Sequence, residues 1–139
     1  MTSLVVDASV AAKWLIPESG SSLANALFSE EIALLAPDLL WVEVAQIGWK
    51  HVRRGCLDAA DAEQVVARMA TVPVERWSSS DPLPAAVQLA IEYDRTVYDA
   101  LYLALAMREN CQVVTADARL VNALGRTPLA PHLRLLGES

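Results

Sequence analysis

Short β-like apolar runs alternate with helical patterns along the whole chain, and that alternation is the signature of a parallel α/β sheet. Leu4-Val5-Val6 and Gln112-Val113-Val114-Thr115 are clear examples of the runs. The pattern predicts strands near 3–7, 33–36, 72–76, 112–115 and 132–136. Helices are expected near 9–16, 20–30, 39–54, 58–70, 84–93, 98–109 and 117–124. Pro17, Pro37, Pro73, Pro82 and Pro128 fall at the junctions, and Asp58 with Asp61 reads as an N-cap followed by a first-turn acid. No repeat, linker or low-complexity tract divides the chain, so residues 1–139 are expected to form one α/β domain. Its centre would be a parallel β-sheet of about five strands flanked by helices. A 54% hydrophobic content with only 20% charged residues supports a packed core rather than disorder.

No segment approaches the roughly 18 uninterrupted apolar residues of a membrane span. Asp7 interrupts the first hydrophobic run and no basic region precedes it, which argues against a secretory leader and for a cytoplasmic protein. Cys56 and Cys111 fit neither a disulfide framework nor a metal-knuckle spacing.

Four carboxylates sit inside or at the edge of apolar stretches, where a lone charge is costly. Asp7 ends Leu4-Val5-Val6, and Glu43 is the only charge between Leu39 and Trp49. Asp99 opens Ala100-Leu101-Tyr102-Leu103-Ala104-Leu105-Ala106, and Asp117 follows Gln112-Val113-Val114-Thr115-Ala116. No Lys or Arg is expected to pair with them locally, so mutual compensation around a divalent cation is the natural reading. Asp7 and Asp117 follow strand ends, where open α/β sheets hold their ligands, and all four are expected to converge at that edge. Oxygen donors of this kind suit Mg²⁺ or Mn²⁺ rather than zinc, since His51, His132 and both cysteines stand at no ligand-like spacing.

Structural roles compete at each position. Asp7 with Ser9 could cap the helix that begins near Val10, Asp99 closes a capping-box-like Thr96-Val97-Tyr98-Asp99, and Asp117 could N-cap the helix that follows it. Glu43 has no such alternative, because Leu39-Leu40-Trp41-Val42-Glu43-Val44-Ala45 offers no clearly polar face. Ser9 and Thr115 could be caps or partners of a water on the metal. Trp14, Trp41 and Trp49 read as core or interaction surface rather than a base-stacking platform.

The net charge of −6 and pI near 4.8 weigh against a nucleic-acid ligand at first sight. Removing the four clustered acids from the 17 acidic residues brings them close in number to the 11 basic ones. Two divalent cations would offset the charge equally, so a phosphate substrate stays open while tight binding by charge alone does not.

In order, Val5-Val6-Asp7-Ala8-Ser9, Ala36-Pro37-Asp38-Leu39-Leu40-Trp41-Val42-Glu43, Val97-Tyr98-Asp99-Ala100-Leu101-Tyr102 and Val114-Thr115-Ala116-Asp117-Ala118-Arg119-Leu120 resemble the four acidic motifs of the PIN-domain family. The likeness is nearest to VapC-type toxins of bacterial toxin–antitoxin pairs and runs from residue 4 to about 136. It implies that Asp7, Glu43, Asp99 and Asp117 hold one or two Mg²⁺ or Mn²⁺ ions and that Ser9 occupies the small hydroxyl position beside the first acid. Gln46 departs from the family, which often has Asn three residues after the helical glutamate.

The resemblance further implies a metal-dependent endoribonuclease that cleaves RNA through metal-activated water, a VapB-like antitoxin as partner, and a homodimer. Trp14, Trp41 and Trp49 are then candidate lining of an antitoxin groove. No GxxxxGK[ST] or GxGxxG loop occurs, and two histidines outside the motifs leave no hydrolytic triad. Two other classes fit the same acids: a Mg²⁺-dependent phosphohydrolase acting through a phospho-aspartate, and a non-catalytic PIN-like interaction domain. The first is weakened because Asp7-Ala8-Ser9 lacks a second Asp two residues on.

Overall fold

Strand β1 (Thr2–Val6) lies at the middle of a five-stranded sheet in a computed structural model that describes residues 1–138. β2 (Ile32–Pro37) and β3 (Val74–Trp77) extend the sheet on one side of β1, and β4 (Gln112–Thr115) and β5 (Leu133–Leu135) on the other. The order is β3-β2-β1-β4-β5 and every pairing is parallel. Helices cover the faces, so the central strands are apolar without alternation: Leu4, Val5, Val6, Val113 and Val114 are all buried. The chain winds outward from β1 to β3 and then returns to place β4 on the far side of β1. The direction of winding therefore reverses between β1 and β4, and the crevice outside their carboxyl ends is where such sheets receive ligands.

The helices are α1 (Ala8–Leu15), α2 (Ser21–Asn25), α3 (Leu39–Arg53), α4 (Ala59–Met69), α5 (Leu83–Tyr93), α6 (Val97–Arg108) and α7 (Ala118–Leu124). The middle of helix α6 is apolar all round, its run Ala100–Ala106 wholly buried against α5 on one side and β1, β2 and β4 on the other. That burial fixes the helix whose first turn carries Asp99. Asp58 accepts the Asp61 N–H at 2.8 Å and Asp61 answers the Asp58 N–H at 3.1 Å, the reciprocal cap that opens α4.

The helix expected over 20–30 is shorter. After Asn25 the backbone closes three-residue bonds, Leu27 N–H to Ala24 O and Phe28 N–H to Asn25 O at 3.1 Å each, instead of continuing the α ladder. Phe28 then packs on Trp14 with ring centroids 4.6 Å apart. Trp14 is buried and donates its indole N–H to Ala24 O at 2.8 Å. It belongs to the core, which corrects its assignment to a groove.

Candidate active site

Asp7 leaves β1 in extended conformation and caps α1, its carboxylate accepting the Val10 N–H at 3.3 Å and the Ser9 hydroxyl at 2.6 Å. Ser9 Oγ in turn accepts the Ala116 N–H at 2.9 Å and lies 3.3 Å from Thr115 Oγ1. Thr115, fully buried, accepts the Asp117 N–H at 3.0 Å. Two serine and threonine hydroxyls thus tie the end of β1 to the end of β4 across the switch point. Burial pushes the Asp7 carboxyl up to about 6; the Ser9 and Thr115 hydroxyls and the Val10 N–H oppose that rise, and the Glu43 charge adds to it.

Glu43 projects from the second turn of α3. Its carboxyl is also pushed up, by burial first, while the Tyr102 hydrogen bond opposes the shift, the Asp99 charge reinforces it and Lys50 eases it. Asp99 sits in the first turn of α6, where its N–H is capped by Thr96 Oγ1 at 3.1 Å. Asp7 therefore feels the Glu43 charge, and Glu43 that of Asp99.

Local pairing of these acids is present at one point. Arg95, four residues before Asp99, donates Nη2 to Asp99 Oδ2 at 3.2 Å, contrary to the expectation that no cation stood at a pairing distance. The spacing was legible; both side chains are partly exposed, and the bridge ranks with surface pairs worth under about 1 kcal/mol.

Asp117 takes a different place. It is exposed, and its Oδ1 accepts the Arg119 N–H at 3.0 Å and the Leu120 N–H at 3.4 Å, so it caps α7 at the rim of the crevice. Asp117→Ala is expected to cost about 1 kcal/mol in urea unfolding, whereas Asp117→Asn, itself a good cap, should cost almost nothing. Equal losses from both would show that charge rather than capping holds this residue's place. Gln46 is exposed on α3.

Sequence reasoning passed over Tyr102. Its hydroxyl donates to Glu43 Oε1 at 2.5 Å, bridging α6 and α3 across 59 positions of sequence. Burial pushes the phenol far up, and the Glu43, Asp7 and Asp99 charges add to it, so it keeps its proton and remains a donor. Inside Leu101-Tyr102-Leu103 it reads as one more core residue; the signal available was its place three residues after Asp99, on the same helix face.

Among the described residues, no three His, Cys, Asp or Glu side chains are arranged to hold a metal ion by themselves. The donor chemistry nevertheless fits a Mg²⁺-like ion, which keeps several waters and takes one or two carboxylates directly. Asp7 and Glu43, both pushed toward protonation by burial, are the groups such a charge would relieve. The histidines lie elsewhere: His51 Nδ1 is 2.9 Å from Ile47 O, and His132 Nδ1 is 3.1 Å from Cys111 O.

Residues 4–124 match the sequence profile of the PIN domain, which spans the switch point and all four acids. The chain belongs to the PIN-domain family. It is 36% identical over 119 residues to Ribonuclease VapC3 of Pyrobaculum aerophilum, covering 84% of this chain and 91% of that protein. The PIN fold recurs in the crystal structure of VapBC2 from Rickettsia felis bound to a DNA fragment from their promoter, with a TM-score of 0.68, 15% identity, and coverage of 96% of this chain and 98% of that one. A toxin–antitoxin complex from Klebsiella pneumoniae gives a TM-score of 0.66 at 17% identity, covering 98% and 99% of the two chains.

Proposed function

We propose that this PIN domain is a divalent-cation-dependent endoribonuclease and the toxin of a toxin–antitoxin pair. The observation that carries the reading is a buried carboxylate, Asp7, at the carboxyl end of β1 within reach of the Glu43 charge, in a chain 36% identical to a ribonuclease. A cation bound there, one ion or two, supplies a nucleophile at neutral pH and relief of the charge that builds on the phosphate. The chain's own residues do the rest. Ser9 and Thr115 hold Asp7 in place, and Arg95, paired with Asp99 at 3.2 Å, would offer its guanidinium to an RNA phosphate.

The partner reading rests on the named relatives and on two apolar surfaces. On α5, Leu83, Val87 and Ile91 recur at four-residue spacing and are exposed, Ile91 at 79%, beside exposed Tyr98 and Val42. This ridge is the proposed homodimer face. An antitoxin segment is assigned instead to the groove between α3 and α4, lined by Ala45, Trp49, Val52, Ala62 and Val66. Of the three tryptophans, Trp49 alone serves it: Trp14 is in the core, and Trp41 lies under Arg76, whose guanidinium is 4.0 Å from the ring centroid. No described helix is long and apolar enough to cross a membrane.

The test is incubation of the purified protein with a panel of RNAs in Mg²⁺ or Mn²⁺ and then in excess chelator. Cleavage with the cation and none with chelator is expected. Cleavage indifferent to chelator, or none in any condition, rejects the reading.

A further inference from the structure

Tyr102 reaches the acids from inside the core. It stands three residues after Asp99 on α6, so the two lie on one face of that helix. Its ring is packed in the central apolar cluster at 4% exposure, and α6 is itself clamped between α5 and the sheet. The hydroxyl points away from that anchorage to α3, where Glu43 Oε1 accepts it at 2.5 Å, at the short end of the range for a hydroxyl on an ionised carboxylate.

A phenol buried this deeply needs a partner, and Glu43 is the one it has. The consequences for Glu43 are geometric. A free glutamate samples several rotamers, and this one is pinned at one oxygen by a group that cannot move without disturbing the core. One accepted bond leaves the carboxylate free lone pairs on both oxygens for another partner. The bond also ties the α3 acid to the helix that carries Asp99.

We propose that Tyr102 is a positioning residue, whose hydroxyl orients the Glu43 carboxylate toward a divalent cation shared with Asp7. The inference rests on the cation-dependent reading above and extends it to a residue outside the acid set. Its action is through Glu43, and it touches neither cation nor RNA.

The experiment compares wild type with Tyr102→Phe, which removes the hydroxyl and keeps the ring. Mn²⁺ binding is measured by calorimetry, unfolding in chelator by thermal melts, and RNA cleavage as kcat and KM separately. Loss of an orienting hydrogen bond to a metal ligand should weaken Mn²⁺ binding about tenfold or more. It should lower kcat with little change in KM, while the metal-free melt stays close to wild type. A Phe variant with wild-type Mn²⁺ affinity overturns the proposal, whatever its melting temperature, because a purely structural tyrosine would move only the melt. Should that variant not fold, 3-fluorotyrosine at position 102 serves instead: its fluorine resonance should shift on titration with Mg²⁺, and a resonance indifferent to Mg²⁺ overturns the proposal. If wild type neither binds Mn²⁺ nor cleaves RNA, the cation-dependent reading fails and this inference with it. If wild type does both and the Phe variant matches it, only the role of Tyr102 is lost.

Discussion

Asp7→Asn is expected to lower RNA cleavage at least about 100-fold while leaving the fold intact. The figure follows from removing a direct cation ligand, since outer hydrogen-bond partners of such ligands alone are worth 10–100-fold. The fold should survive because asparagine is as good an N-cap as aspartate and can still accept from Ser9 and from the Val10 N–H, the two contacts that seat the residue. What asparagine cannot supply is charge. Cleavage by the variant within about tenfold of wild type, in saturating Mg²⁺ or Mn²⁺, would remove Asp7 from the reacting centre and leave it a cap. Thermal shift on adding the cation checks the same point independently: wild type should gain stability and the variant little, because only a species that binds the folded state raises the melt.

The parts of this protein that local sequence determines were legible. β1 and β4 announced themselves because strands buried on both faces must be apolar without alternation, as Val5, Val6, Val113 and Val114 are. Asp7 could be placed because it ends such a run. The features that escaped reading depend on pairings across the chain or on what happens at a helix end. Tyr102 meets Glu43 across 59 positions, and nothing in its own apolar neighbourhood marks it as polar in function. α2 ends at Asn25 and Phe28 packs on Trp14 beyond it, a tertiary contact that propensity does not register. The same contact moved Trp14 from an expected groove to the core. Arg95 is the opposite case, since its four-residue spacing to Asp99 was visible and was passed over. Asp117 is a motif position that the fold uses as a cap: its carboxylate satisfies two amides of α7.

Stability of the metal-free protein should depend on pH in a sense opposite to that of a paired carboxylate. Asp7 has its carboxyl raised from 3.8 to about 6 by burial, so the folded state holds a proton there that the unfolded chain releases. A group raised in this way contributes stability that is full below the unfolded value and is lost as pH rises through the folded one. Between about pH 4 and pH 7 the Asp7 contribution should fall by roughly 2–3 kcal/mol, one pKa step being about 1.4 kcal/mol. Glu43 is raised for the same first reason and adds in the same direction. Other acids titrate over this range as well, so the quantity to measure is the difference between wild type and Asp7→Asn in chelator. Asparagine carries no proton to lose, and the variant's advantage should therefore grow as pH rises from about 4 to 7. Adding Mg²⁺ at neutral pH should reverse the order, because the cation compensates the charge that burial leaves exposed to repulsion and favours only the chain that bears it. Urea titrations at several pH values would decide: a difference that stays flat, or that shrinks toward neutral pH, means Asp7 is already satisfied by Ser9, Thr115 and the Val10 amide, and that its burial calls for no cation at all.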